Sequence, residues 1–352
     1  MYGFSFNIGA TAFKNDLKNI TCYKNLDYAN IVGNAIRNTK YGAALCAIGE
    51  TYERNALIEY NHIQNKSIES FSLLDNTVYN FSLDELKQKN IFFDSCGCAA
   101  HVNSNSCLKN AFFEFLERQS FIFWYLSKGK SYKIDKSILH KYNSYNIYFN
   151  NFECYEISLS ESCYVVFFIG ELKGKIAVSL GSGKNLNTAI ISALNELHQM
   201  YLSLLNGIKI DDSKPKDYSE TYLSIAPERI KKAFEFINEN AVNYTGRTEK
   251  QYISINDEVK ILNQKYKMNP LVSFLPLDET KINNIKVCKI FDLNWFPSLL
   301  PKTFDKKTYD FFDGNENDIL EFKKQNLSLD NIQFQINTVE DILQIIFEMK
   351  NY

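Results

Sequence analysis

Two carboxylates in an otherwise apolar helix constrain this chain more than any other feature. Residues 111–124 read Ala-Phe-Phe-Glu114-Phe-Leu-Glu117-Arg118-Gln-Ser-Phe-Ile-Phe-Trp. Phe112, Phe113, Phe115, Leu116, Phe121 and Phe123 point in nearly every direction around the axis, and a helix that is apolar all round is buried. An isolated buried charge is prohibitively costly, so Glu114 and Glu117 must be paired or bound to metal. Their spacing of three places them on one face, one turn apart.

The pattern recurs. Gly49-Glu50-x-x-Glu53-Arg54 repeats the Glu-x-x-Glu-Arg motif, and Ala-Leu-Asn-Glu196-Leu-His198-Gln199 offers Glu-x-x-Gln. The three helices are predicted to open after Thr39, Asn103 and Asn187, all residue types that cap helix N-termini. If they converge, Glu50, Glu53, Glu114, Glu117 and Glu196 meet in one place. Each like-charged pair at about 4 Å would cost about 4 kcal/mol at an effective dielectric of about 20. Hard divalent cations remove that repulsion, and all-oxygen ligands favour magnesium. Magnesium usually shares its shell with water and phosphates, and the forked donors of Arg54 and Arg118 suit phosphate oxygens. The chemistry read from the residues is therefore a nucleoside triphosphate held by magnesium, with no P-loop in the chain. Two rivals stand beside it. Glu50–Arg54 and Glu114–Arg118 also fit the ordinary ion pairs of an exposed helix face. A di-iron carboxylate bundle would want Glu-x-x-His, whereas His198 stands two after Glu196.

The 352 residues suffice for one large domain or two moderate ones. No linker divides them, and all six prolines lie between Pro215 and Pro301. The expectation is one domain, 1–352, with a core over about 30–205, a polar helical excursion over about 211–268, and C-terminal strands and a helix over 269–352. Strands are predicted at 154–158, 163–170, 175–180, 271–274 and 286–291, the second and third joined as a hairpin. Helices mixed with antiparallel hairpins predict an α+β fold with mixed or antiparallel sheets. A net charge of −2 supplies no field for nucleic acid or an anionic membrane. The first basic residue is Lys14 and no apolar run approaches the roughly 20 residues of a membrane helix. A cytoplasmic protein with reduced cysteines is expected.

Other candidates are weaker. Cys96, Cys98, His101 and Cys107 could be read as a zinc site, but Cys-x-Cys spacing is unusual for one and no Cys-x-x-Cys closes it. Gly181-Ser-Gly-Lys184 precedes the third helix and could offer backbone donors and Lys184 to phosphate. Lys40 after the Thr39 cap, and Asn103 at the cap of the second helix, complete the candidate nucleotide contacts.

Taken in order, Gly-Glu50-x-x-Glu53-Arg54, then Asp94-Ser-Cys-Gly-Cys-Ala-Ala leading to Glu114-x-x-Glu117-Arg118, then Gly181-Ser-Gly leading to Ala-Leu-Asn-Glu196-x-x-Gln199, resemble the YcaO superfamily. Within it the chain looks most like the cyclodehydratase subunit of microcin synthetases that make thiazoles and oxazoles. The resemblance implies that Glu50, Glu53, Glu114, Glu117, Glu196 and Gln199 hold Mg2+ and position ATP, with Arg54 and Arg118 on phosphate. It implies that a Cys, Ser or Thr side chain of a precursor peptide adds to the preceding carbonyl. The oxygen then takes the terminal phosphoryl group of ATP, and phosphate leaves to give an azoline. It further implies an E1-like, leader-peptide-recognition partner and a flavin-dependent azoline dehydrogenase. Thioamide or amidine formation, or a catalytically silent scaffold, are the alternatives. Departures from the family are Val102-Asn103 in place of Asn-Thr, Ser106 where an acidic residue is frequent and Ser192 where a basic one is. No proline follows Pro301, where many cyclodehydratases carry a Pro-x-Pro-x-Pro tail.

Overall fold

The structure, a computed structural model, describes residues 5–10, 17–25, 30–89, 91–92, 94–139, 142, 151–172, 174–205, 227–246, 253–277 and 284–296. Strands β1 (Ser5–Ala10), β2 (Lys18–Asn25) and β3 (Asn30–Arg37) form an antiparallel meander. Helix α1 (Lys40–His62) follows and packs on β2 and β3. Thr39 caps it as expected, its Oγ1 accepting the Gly42 N–H at 3.0 Å.

A five-stranded antiparallel sheet comes next, built from distant parts of the chain. Its members are β4 (Ser67–Ser72), β5 (Val78–Ser82) and, after the short helix α2 (Leu83–Gln88), β6 (Cys98–His101). The apolar helix is α3 (Ser104–Ser127), capped by Asn103, whose Oδ1 accepts the Ser106 N–H at 3.0 Å. A second five-stranded sheet contains β7 (Ser131–Lys133), β8 (Asn151–Glu156), β9 (Tyr164–Leu172) and β10 (Lys175–Gly183), with helix α4 (Lys136–Leu139) between β7 and β8. Helix α5 (Leu186–Leu205) packs on β10, β9 and β3. Helices α6 (Pro227–Ala233) and α7 (Ile237–Asn240) lead to β11 (Ala241–Asn243), which pairs in parallel with β7. Helix α8 (Ile255–Tyr266) precedes β12 (Leu271–Phe274) and β13 (Lys286–Phe291), which complete the first large sheet in the order β5-β4-β12-β13-β6. The architecture is α+β, as the pattern predicted.

Helix α3 touches β6 and β13 of one sheet and β9 and β10 of the other. Its apolar circumference is used: Phe112, Phe115, Leu116, Phe121, Phe123, Trp124 and Tyr125 are all buried. Strand alternation then separates two cores. Cys98, Val287 and Phe291 join Tyr52 and Leu57 of α1, whereas Ala99, Cys288 and Ile290 join Cys107, Phe112 and Phe115 of α3. The β5-β4-β12-β13-β6 sheet is thus covered by α1 on one face and α3 on the other.

Two expectations need correction. The third helix starts at Leu186, not after Asn187, because Asn185 Oδ1 accepts the Thr188 N–H at 2.9 Å and takes the capping role. Asn187 instead accepts the Tyr142 hydroxyl at 2.6 Å. The excursion expected to be helical is broken by a turn at residues 234–236. Phe234 and Phe236 there stack around Trp124 and Tyr125 of α3, with ring centroids between 5.0 and 6.4 Å. Ile230, Phe234, Val259, Leu262 and Tyr266, from the polar excursion, belong to the same hydrophobic cluster as α3. The start of that excursion (211–226), the helix expected near the C-terminus and the chain's last residues lie outside the described residues.

Candidate active site

Helix α1 projects its carboxylates at two strand edges. Glu50 Oε2 accepts the Asn34 N–H of β3 at 2.6 Å, and its Oε1 accepts Arg54 at 2.6 Å. Arg54 also donates to the Val32 carbonyl of β3. One turn on, Glu53 Oε1 accepts the Ala100 N–H of β6 at 2.8 Å. Because β6 is the last strand of its sheet, an amide on its outer edge is available to a side chain. Backbone donors of this kind hold a carboxylate in one orientation.

Helix α3 supplies the second set. Arg118 grips Glu114 Oε1 through two nitrogens at 2.8 Å each and stands 3.8 Å from Glu117 Oε1. Both predicted ion pairs therefore exist, but on partly enclosed rather than exposed faces: the arginine side chains are 10% (Arg54) and 3% (Arg118) exposed, and their partners 22% (Glu50) and 19% (Glu114). Burial opposes the charged guanidinium, yet Glu114 and Glu117 outweigh it and raise its pKa.

The two helices share one field. Burial holds the Glu53 carboxyl well above the usual carboxylate range; the charge of Glu50, on the same helix, and that of Glu114, on α3, raise it further, against the Ala100 amide. Carboxylates of α1 and α3 are thus close enough to repel. Glu196 and Gln199 are half-buried on α5, and β3 is a neighbour of both α5 and α1. Among the described residues no three His, Cys, Asp or Glu side chains converge closely enough to hold a metal alone.

The remaining candidates lie further out. Lys40 and Lys184 are exposed, at the starts of α1 and before α5. Asn103 spends its side-chain oxygen on its own helix. Gly181 and Gly183 serve close packing, since a Cβ on Gly181 would lie 2.2 Å from the Ala193 nitrogen, and one on Gly183 2.2 Å from Thr188 Oγ1. The cysteines divide between the two cores, Cys98 on the α1 side and Cys96 and Cys107 on the α3 side. The Cys107 thiol donates to the Ala99 carbonyl at 3.1 Å. His198 is buried, its Nδ1–H donating to the Leu194 carbonyl at 2.6 Å.

The donor set suits a hard cation. It is all oxygen, it is partly buried, and positive charge at Glu53 would relieve the repulsion that raises its pKa. Sequence reasoning missed the backbone partners Asn34, Val32 and Ala100, which carry no side-chain signal. It also passed over Lys289 of β13, whose charge in the middle of an apolar strand was a signal.

The family model of the YcaO cyclodehydratases, ATP- and Mg2+-binding, matches residues 75–291. No curated protein matches the sequence. Among solved structures, YcaO from Methanopyrus kandleri bound with AMPPCP and Mg2+ superposes with a TM-score of 0.64 at 14% identity, over 83% of this chain and 85% of that one. The E. coli microcin synthetase McbBCD complex gives 0.62 at 18% identity, over 90% and 95%. The same complex with pro-MccB17 bound gives 0.60 at 17%, over 84% and 89%. At these identities the likeness is one of fold. No helix among the described residues is long and apolar enough to cross a membrane.

Proposed function

Because this chain belongs to the YcaO cyclodehydratase family, whose members bind ATP and Mg2+, we propose that it converts Cys, Ser or Thr residues of a ribosomally made precursor peptide to azolines. The observation that carries the reading is Glu53, half-buried on α1, anchored by the Ala100 amide and repelled by Glu50 and Glu114. Such a group favours a site that receives a cation.

Glu50, Glu53, Glu114, Glu117, Glu196 and Gln199 are the proposed magnesium and phosphate-positioning ligands. When bound, ATP supplies the phosphoryl group that turns a poor leaving group, the amide oxygen, into a good one. The chain's own residues position and neutralise. The β3 and β6 amides fix the carboxylates of α1, and the buried Arg118 keeps Glu114 in place. Arg54 and Arg118 offer their remaining donors to phosphate, and Lys40, Asn103 and Lys184 form an outer ring. Positioning and charge neutralisation, rather than a strong base, account for catalysis of phosphoryl transfer.

The microcin synthetase, solved as a complex and with pro-MccB17 bound, supports a peptide substrate and partner subunits. The partners proposed are an E1-like protein that recognises the leader peptide and a flavin-dependent dehydrogenase that oxidises azolines. Residues 1–352 are proposed to act as one domain in the cytoplasm. The test is incubation with a candidate precursor, the partner and magnesium–ATP, reading peptide mass and phosphate release. Loss of one water per modified residue with matching phosphate release is expected. Undetectable nucleotide binding, together with full activity of Glu114→Ala, would overturn the reading.

A further inference from the structure

Lys289 is completely buried, at 0% exposure, in the middle of β13. It lies opposite Cys98 of β6, so its side chain leaves the sheet on the face covered by α1, where Val287, Phe291 and Cys98 also pack. Its ammonium donates to the backbone carbonyls of Asp94 and Cys96, both at 2.7 Å, and stands 3.8 Å from the Asp94 carboxylate. Asp94 Oδ1 in turn accepts the Cys96 N–H at 2.9 Å. The turn is closed by Cys98 N–H to the Ser95 carbonyl at 2.8 Å and tied to β13 by Ile290 N–H to the Gly97 carbonyl at 2.8 Å. Gly97 adopts φ of 69°, and a Cβ there would lie 2.3 Å from the Ile290 oxygen.

Every one of these contacts shapes the four residues that immediately precede β6. Three residues after Gly97, the Ala100 N–H meets Glu53. The same turn passes α3: Asp94, Lys289, Arg118 and Glu114 all act electrostatically on the buried Cys96 thiol. The turn and β6 therefore form a wedge between the carboxylates of α1 and those of α3, with Lys289 behind it.

A buried ammonium is a poor choice for stability alone. Moving it out of water is costly, and well-packed apolar replacements of buried ionic groups are often neutral or stabilising. What an apolar side chain cannot do is collect two carbonyls and a carboxylate at one point. We propose that Lys289 is a positioning residue for the magnesium–ATP site: it fixes the 94–97 turn so that β6 presents the Ala100 amide to Glu53. This rests on the reading of Glu50, Glu53 and Glu114 as the magnesium ligands. It acts as outer-sphere partners of metal ligands do, where loss of one typically costs about 10–100-fold in metal affinity.

The test uses the full chain and magnesium–ATP, titrating Mg2+ at fixed ATP and reading nucleotide binding by calorimetry well below each protein's unfolding temperature. Lys289→Met is expected to raise the Mg2+ midpoint about tenfold or more, and Glu53→Gln to raise it too. Should Lys289→Met fold poorly, Asp94→Ala removes the carboxylate that Lys289 faces in the same turn and is expected to move the midpoint in the same direction. A Lys289→Met protein that melts earlier yet keeps its Mg2+ midpoint within twofold, while Glu53→Gln shifts it, makes Lys289 merely structural and overturns the inference. If Asp94→Ala must stand in, an unmoved midpoint has the same force. If neither Lys289→Met nor Glu53→Gln moves the midpoint, or the unaltered chain binds no magnesium–ATP, the reading of the site itself falls and takes this inference with it.

Discussion

Replacing Arg118 by methionine removes the guanidinium that grips Glu114 and faces Glu117, and leaves their carboxylates in a fully packed helix between two sheets. Breaking a buried ion pair from one side costs about 3–5 kcal/mol. A second route gives the same size. The variant can escape the unpaired charge by protonating one carboxyl, and for a free pKa of about 4.3 this costs about 3.7 kcal/mol at pH 7, at about 1.36 kcal/mol per pH unit. The loss must therefore depend on pH. A carboxyl whose folded pKa is raised destabilises increasingly above its unfolded pKa, so the penalty shrinks to about 1 kcal/mol at pH 5. Urea unfolding of both proteins at pH 7 and pH 5 measures the two differences. Glu117→Gln added to Arg118→Met should regain about 2–3 kcal/mol at pH 7, because the more deeply buried of the two stranded charges is gone. A penalty below about 1 kcal/mol at pH 7, or one that does not change with pH, would refute the claim that this pair is enclosed.

Glu53 has a raised pKa, led by burial, and only its ionised form binds a cation. Magnesium–ATP binding should therefore release protons and strengthen as pH rises from mildly acidic values, an effect seen as a buffer-dependent calorimetric enthalpy that Glu53→Gln abolishes. Lys128 ends α3 in the left-handed region at φ 49°, and burial lowers its ammonium to about 8. A depressed amine penalises the folded state in full below that value and is relieved toward the free pKa of about 10.4. Thermal stability should then rise from pH 8 to 10, and Lys128→Gly, which also suits the left-handed backbone, should flatten that rise.

How much of this was legible in the sequence depended on whether a residue's role is local. Thr39 and Asn103 cap helices through hydrogen bonds three residues away, so they could be read, as could the Glu-x-x-Glu spacing and the burial of α3. The strands at 271–274 and 286–291 announced themselves through apolar content. The meander β1 to β3 did not, because its strands are interrupted by Asn and Lys and gain much of their core face from the distant packing of α1. Strand β6 is four small or polar residues with no period to detect. The third helix was placed two residues late because Asn185 and Asn187 are equally good caps by type, and only the contact of Tyr142 with Asn187 tells them apart. The charge of Lys289 in an apolar strand was visible, but its role was not, because its acceptors are carbonyls 195 and 193 positions earlier.

That separation has a consequence for synthesis. The strand that presents its amide to Glu53 is paired with β13, and β4 is paired with β12, with Ser70 and Ser273 joined across 203 residues. While the chain emerges from the ribosome, α1 and α3 are complete long before the sheet between them can close. Their apolar faces and carboxylates must wait, exposed to solvent or to a chaperone, until the segment around residue 291 arrives. Long-range pairing of this kind slows folding and leaves such intermediates prone to association. The proposed nucleotide site is therefore among the last features of the molecule to form, and a chain truncated before β13 keeps all six proposed magnesium ligands but lacks the strand that pairs β6 into the sheet between them.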